Sequence, residues 1–149
     1  SVMEMSHRSK VFDDIIKEYP DIKLITEQHV PAEQPINDAE EITANLLTAN
    51  PDKDSVTAIF AAWDEPAIGA AKALAEAGRD EVIVTGVDGN EQAVQMIKDG
   101  SCLKATVKQN FEGMADIVCR QMEKYYAGET IEKGEMYAPA ELITQENAQ

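Results

Sequence analysis

The chain is poor in several residue types, and each shortage excludes a class of protein. Only 5% of its 149 residues are aromatic, and its two cysteines, Cys102 and Cys119, match no metal or redox spacing. We expect both cysteines to be small, buried or half-buried apolar residues. Thirteen basic residues stand against 28 acidic ones, a formal charge of −15. Such a surface repels nucleic acid and anionic lipid, so we expect neither as a partner.

Long apolar runs are also lacking. No stretch is long enough to span a bilayer, and the first residues do not show the basic and apolar regions of a signal peptide. We therefore expect no signal peptide in this chain, which is compatible with a mature or trimmed piece of a longer protein. The length and the 44% hydrophobic content are nevertheless sufficient for one domain with a real core.

Short apolar runs alternate with helical patterns along the chain. A helix is predicted from the spacing of apolar residues between Val11 and Tyr19. Strands are predicted at residues 22–25, 56–60, 82–87 and 103–107 and between 136 and 143, with helices between them. This order predicts an α/β fold with a doubly wound, mostly parallel sheet. Such a domain normally opens with a strand, whereas this chain opens with a helix.

Two strand-to-helix junctions carry an aspartate, Asp64 and Asp88. The carboxyl ends of parallel strands meet at one edge of the sheet, where open α/β folds bind small molecules. Gly89 lets the backbone turn after Asp88, whose carboxylate either binds ligand hydroxyls or caps the helix that begins near Asn90. The placement favours ligand contact. Asp64 directly precedes Glu-Pro, so capping of its own helix is favoured, with orientation of a neighbour as the other role.

Other side chains are predicted at the same edge. The single tryptophan, Trp63, is either a core residue or a pocket wall. Arg8 is either a surface residue or a set of five donors aimed into the cleft. Gln109 and Asn110 follow the strand at residues 103–107, so their amides reach this edge as well. Together these groups predict hydrogen-bonded recognition of a neutral polyol.

Catalytic signatures are missing from the sequence. It contains no Gly-x-Ser-x-Gly elbow, Walker loop or Gly-rich dinucleotide fingerprint. His7 and His29 do not have the spacing of metal ligands. We therefore expect no enzyme activity, no cofactor and no metal.

Four segments carry a family resemblance along essentially the whole chain. They are Arg8-x-x-x-Phe12 with Tyr19-Pro20-x-Ile22-Lys23, then residues 59–70, then Val-Thr-Gly-Val-Asp-Gly at 84–89, and finally Ala105-Thr106-Val107-x-Gln109. In this order they resemble the C-terminal lobe of the type I periplasmic solute-binding proteins, in the ribose-binding cluster.

The resemblance implies a non-catalytic, sugar- or polyol-binding component of an ABC importer, which closes two lobes on its ligand and docks on a membrane permease. Arg8, Asp88 and Gln109 would then bond ligand hydroxyls, and Asp64 would support its neighbours without touching the sugar. Trp63 stands where the ribose binders have asparagine, which leaves the identity of the sugar open. The longer parent protein is expected in the periplasm, or outside the cell on a membrane anchor.

The resemblance also implies missing parts, namely the N-terminal lobe and the first strand of the second lobe. Residues 1–109 would form the C-terminal lobe, and 110–149 a hinge-crossing helix and a terminal strand that contact the other lobe. The helix at residues 112–126 would lose the partner of its apolar face, which is formed by Met114, Ile117, Val118, Met122 and Tyr125. We expect this piece to self-associate or exchange strands, and to bind ligand weakly or not at all.

Two other interpretations remain open at this point. The effector-binding domain of a lac-repressor-type regulator shares the fold but needs a DNA-binding headpiece. A flavodoxin-like enzyme or a receiver domain is the third, although a receiver needs an acidic pair after its first strand.

Overall fold

The computed structural model describes residues 2–148, with side chains from His7 onward. Five helices, four strands and one short 3₁₀ turn make up this part of the chain. In chain order they are α1 (Val2–Ile16), α2 (Pro35–Ala49), the turn Lys53–Ser55, β1 (Ala58–Phe60), α3 (Asp64–Glu76), β2 (Ile83–Asp88), α4 (Glu91–Lys98), β3 (Leu103–Lys108), α5 (Phe111–Tyr126) and β4 (Glu141–Thr144).

The four strands form one sheet in the order β1-β2-β3-β4. The first three are parallel, with α3 and α4 as their connections, and β4 runs antiparallel to β3. The predicted α/β fold with a mostly parallel sheet is therefore confirmed. Because β1, β2 and β3 are parallel neighbours, their carboxyl ends lie side by side at one edge of the sheet.

The core lies between one face of the sheet and the helices α2, α3 and α4. Its largest fully buried apolar side chains are Ile68, Leu74, Ile97, Leu103, Val56, Val82 and Val84. Helix α2 packs closely on α3 at Gly69, where a β-carbon would overlap the carbonyl oxygen of Ile36. On the other face of the sheet, Ile83 and Leu142 are 48% and 58% exposed. Phe12 of α1 stacks on Phe60 of β1 with ring centroids 4.5 Å apart, so the face opposite the core is covered only in part.

Two predicted elements differ in the structure. Residues 22–25 are not a strand, and Ile22, Leu24 and Ile25 are each about half exposed. A strand is maintained by the backbone hydrogen bonds of a neighbour, and none pairs with this segment in the described residues. The sequence also predicts an N-cap at Asn37 or Asp38, since both residue types are common at that position, but helix α2 begins at Pro35 with Gln34 as its N-cap, so this prediction is wrong. Proline is well suited to the first helical turn because its missing N–H has no partner there.

Helix α5 stands apart from the core, since none of its residues is buried. Its apolar side chains at Val118, Met122 and Tyr125 are 57%, 51% and 66% exposed. Cys119 lies on this helix and is exposed, so the expectation that it is buried or half-buried is wrong, whereas Cys102 is buried as expected. No described helix is long and apolar enough to cross a membrane.

Candidate functional site at the carboxyl edge of the parallel strands

Three of the predicted site residues meet at one carboxylate oxygen. Arg8 Nη2 donates to Asp88 Oδ1 at 3.0 Å, and the Gln109 side-chain amide donates to the same oxygen. The second guanidinium nitrogen of Arg8 donates to the carbonyl of Ala62 at 2.7 Å. These two bonds of Arg8 connect helix α1 to the ends of β1 and β2. Gln109, which provides the amide, directly follows β3.

The ion pair between Arg8 and Asp88 lies partly in solvent, with the two side chains 15% and 28% exposed. A guanidinium, a carboxylate and an amide thus share a small accessible surface. Hydrogen bonds to charged groups are about twice as strong as neutral ones, because the charge strengthens the electrostatic attraction. This edge can therefore both donate to and accept from the hydroxyl groups of a small polar molecule.

The geometry at the end of β2 distinguishes the two roles that the sequence allowed for Asp88, ligand contact and capping of the following helix. Helix α4 is capped by Asn90, whose side-chain oxygen accepts from the Gln92 N–H at 2.8 Å. Asp88 lies two residues earlier, with a φ of 129°, and its carboxylate faces Arg8 and Gln109. The capping alternative for Asp88 is therefore wrong.

Asp64 is fully buried and does not cap its own helix. Helix α3 begins at Asp64 itself, with Trp63 as N-cap and no side-chain cap bond. Asp64 Oδ2 accepts from the Asn90 N–H at 2.7 Å, and Oδ1 accepts from the Thr106 hydroxyl at 2.6 Å. The favoured capping role is therefore wrong, because one oxygen accepts from a backbone N–H that follows β2 and the other from a hydroxyl in the middle of β3.

Burial raises the pKa of Asp64 above its ordinary value, and the nearby charge of Asp88 raises it further. The hydrogen bonds from Thr106 and from the Asn90 N–H act in the opposite direction, since they favour the ionised carboxylate. Asp64 is thus a desolvated carboxylate whose ionised form depends on two donors.

Two further predicted residues have different surroundings. Trp63 is half-buried directly before Asp64, at the end of β1. Asn110 caps helix α5, where its side-chain oxygen accepts from the Gly113 N–H at 2.8 Å. Its amide is therefore engaged by the helix, whereas the Gln109 amide reaches Asp88.

Sequence reasoning missed Thr106 and the backbone of Asn90 as parts of this edge. Thr106 is fully buried in the middle of β3, where Leu103 is the other buried residue. The available signal was Gly86 in the middle of β2, because a glycine within a strand often marks a close approach by another group. Here that group is the Asp64 carboxylate.

The functional groups at this edge are polar side chains and one aromatic ring. In the described part of the chain, no cluster of three or more His, Cys, Asp or Glu side chains could hold a metal ion. The edge provides a guanidinium, a carboxylate, an amide and an indole. This set is suited to hydrogen bonding and to packing on the apolar face of a ring.

Sequence comparisons place the chain among known proteins. A family model described as a periplasmic binding protein domain matches residues 2–130. A D-apiose import binding protein of Actinobacillus succinogenes is 33% identical over 144 residues, which cover 96% of this chain and 45% of that protein. The ribose import binding protein of Escherichia coli is 46% identical over 68 residues, covering 46% of this chain and 22% of that protein.

Solved structures show the same similarity. An ABC transporter solute-binding protein from Agrobacterium vitis with bound allitol aligns with a TM-score of 0.83 and 31% identity, covering 91% of this chain and 47% of that one. A solute-binding protein from Actinobacillus succinogenes with bound D-allose aligns with a TM-score of 0.76 and 32% identity, covering 91% and 45%. The chain thus spans less than half the length of these relatives.

Proposed function

The chain belongs to the periplasmic binding protein domain family, and we propose that it carries part of the sugar- or polyol-binding site of an ABC importer. Members of this family bind solutes and are not enzymes. We extend that role to this chain, which recognises its ligand and catalyses no reaction.

The convergence of Arg8 and Gln109 on Asp88 Oδ1 carries this proposal. In the proposed complex Asp88 accepts hydrogen bonds from ligand hydroxyls, and Arg8 and Gln109 donate to hydroxyl oxygens. The two donors also hold the Asp88 side chain in place before the ligand arrives. A preorganised group loses less conformational entropy on binding, so it contributes more to affinity.

Trp63 and Asp64 have different proposed roles. The Trp63 indole forms an apolar wall against a face of the ligand, as aromatic rings in sugar sites can. Asp64 is fully buried, so it supports the neighbouring strand ends and does not touch the ligand. Trp63 and Asp64 adjoin the end of β1, whereas Asp88 ends β2.

The relatives are about twice as long as this chain, and this ratio supports a two-lobed arrangement. We place residues 1–109 in one lobe, and 110–149 in a hinge-crossing helix and terminal strand. The second lobe supplies the opposite wall of the cleft and covers α5, and the closed protein docks on a membrane permease. The longer protein acts in the periplasm, or outside the cell on a membrane anchor.

In the 149-residue chain without a second lobe, the apolar side chains of α5 are exposed. Exposed contiguous apolar surface favours association, because burying it releases ordered water. We propose that the 149-residue chain self-associates through this helix, or by exchanging strands.

The importer interpretation is favoured over a lac-repressor-type regulator by the relatives reported above. They are named as import binding proteins or as ABC transporter solute-binding proteins. This observation concerns the family, and the ligand of this chain is identified by titration.

Titration of the 149-residue chain with ribose, D-apiose, D-allose and allitol, followed by amide chemical shifts, tests the proposal. We expect binding weaker than millimolar, because one wall of the cleft provides only part of the contacts. The perturbed amides should be those of Asp88, Gly89, Asn90 and Gln109. Shifts at none of them with any of the four compounds would contradict the proposal.

A further inference from the structure

The backbone of Asp88 has an unfavourable conformation. Its φ of 129° makes it the single non-glycine residue with a positive φ in the described residues 2–148. An L-residue rarely adopts this conformation because its side chain approaches the backbone too closely. The surrounding structure must therefore supply the interactions that hold Asp88 in it.

The two amides that follow Asp88 are each held by a buried side chain. The Gly89 N–H donates to Thr106 Oγ1 at 3.2 Å, and the Asn90 N–H donates to Asp64 Oδ2 at 2.7 Å. The two acceptors are themselves joined, since the Thr106 hydroxyl donates to Asp64 Oδ1 at 2.6 Å. Asp64 and Thr106 are both fully buried, so water does not compete for these bonds.

This network needs free space above β2. Asp64 follows β1 and Thr106 lies on β3, so the carboxylate must cross β2 to reach the hydroxyl. Gly86 is the residue of β2 that pairs with Thr106, and a β-carbon on Gly86 would overlap Asp64 Oδ1. The absence of a side chain at Gly86 is therefore what allows the carboxylate to bridge the three strands.

We infer that Asp64, Gly86 and Thr106 form a positioning unit that holds Asp88 in its positive-φ conformation, with its carboxylate facing Arg8 and Gln109. The functional meaning of this unit rests on the role proposed above for Asp88. None of the three residues contacts the ligand. They act by fixing the turn that presents the Asp88 carboxylate.

The variants Thr106→Val and Thr106→Ser in the 149-residue chain separate this role from a general contribution to stability. Valine retains the shape of threonine without the hydroxyl, whereas serine retains the hydroxyl without the methyl group. Thr43→Val, at a second buried threonine on α2, is the matched control.

Amide hydrogen exchange gives the first measurement. Val84 is a reporter of the core, because its N–H donates to the Cys102 carbonyl at 2.9 Å. Relative to Val84, Thr106→Val should speed the exchange of Gly89 about tenfold, whereas Thr106→Ser and Thr43→Val should change the ratio less than about threefold. Equal acceleration of Gly89 and Val84, or equal effects of valine and serine at position 106, would overturn the inference.

The three-bond coupling between the amide and α-protons of Asp88 gives the second measurement. It is small at a φ near that of Asp88 and large in extended backbone. We expect it to rise in Thr106→Val and to keep its wild-type value in Thr106→Ser. An unchanged coupling in Thr106→Val would overturn the positioning unit.

Both measurements are made without ligand, so they separate this inference from the proposed function. If D-allose and the other three compounds fail to bind the wild-type chain, the proposed function fails while the coupling and exchange results still decide the inference. If a compound binds and Thr106→Val leaves the Asp88 coupling unchanged, the positioning unit alone is wrong.

Discussion

The backbone of Gly86 faces the carboxylate of Asp64 so closely that a methyl group at Gly86 would overlap Oδ1. This relationship joins two segments of the chain that lie 22 residues apart, the start of α3 and the middle of β2. It lets one buried carboxylate bond both the Asn90 N–H after β2 and the Thr106 hydroxyl in the middle of β3. The geometry of the binding edge thus depends on a residue that has no side chain.

Gly86→Ala should therefore destabilise the chain by about 2–3 kcal/mol, because the added methyl group displaces a buried, fully bonded carboxylate. Gly78→Ala is the matched control. Gly78 has a φ of 64° and open space around its α-carbon, so this variant adds backbone strain without overlap and should cost about 1 kcal/mol. Urea denaturation measures both free energies of unfolding. A smaller loss at Gly86 than at Gly78 would show that the carboxylate adapts freely.

The raised pKa of Asp64 predicts a pH-dependent stability. Burial is the largest cause, and it means that the folded chain holds this proton more tightly than the unfolded chain does. The corresponding stabilisation is complete below the ordinary value of 3.8 and is lost as pH rises through the folded pKa. Relative to Asp64→Asn, the wild-type chain should therefore lose stability as pH rises from about 4 towards neutrality.

The comparison variant for this measurement is Asp14→Asn, because it should give the opposite sign. Hydrogen bonds from Lys17 and Lys10 lower the pKa of Asp14, so its contribution is present at neutral pH and is lost as pH falls. Urea denaturation across this range gives the free energy of unfolding of each variant. Parallel pH profiles for wild type and Asp64→Asn would contradict the desolvation of Asp64.

Helix α5 provides a prediction about assembly. Light scattering of the 149-residue chain at micromolar concentration should give a mass above that of the monomer, and Val118→Glu should lower it by placing a charge on the exposed apolar face. Arg120→Glu introduces the same residue at an exposed polar position, with a larger change in net charge. A monomeric wild-type chain would rule out self-association. If Arg120→Glu had the same effect as Val118→Glu, charge rather than the apolar face would be responsible.

Much of the fold could be predicted from the spacing of apolar residues and from the turn residues that separate helices and strands. Helix α4 lies between two predicted strands, where the sequence predicts a helix, and the strand predicted at residues 103–107 is Leu103–Lys108 in the structure. The strand predicted at residues 22–25 is wrong because pattern alone does not show whether a pairing partner exists. The local sequence pattern therefore identified strands that pair with a neighbour in this chain. It failed for residues 22–25, which pair with no strand in the described residues.

The binding edge was predictable only in part. The rule that parallel strands share a carboxyl edge predicted Asp88 and Gln109 close together, and Arg8 was a candidate for the same edge. In the structure the three residues meet at one oxygen. The bonds of Asp64 were not predictable, because the capping preference of aspartate is local whereas its partners are 26 and 42 residues away. The roles of these residues in ligand binding stay predictions.

The affinity of Asp88→Ala compared with the wild-type chain tests the central claim most directly, with Asp99→Ala as a control at an exposed carboxylate that ends α4. Amide shifts are followed during titration with whichever of ribose, D-apiose, D-allose and allitol binds the wild-type chain. Removal of a carboxylate that bonds ligand hydroxyls should weaken binding about tenfold or more, and Asp99→Ala should leave it unchanged. Equal affinities of Asp88→Ala and wild type would contradict the account, as would a wild-type chain that binds none of the four.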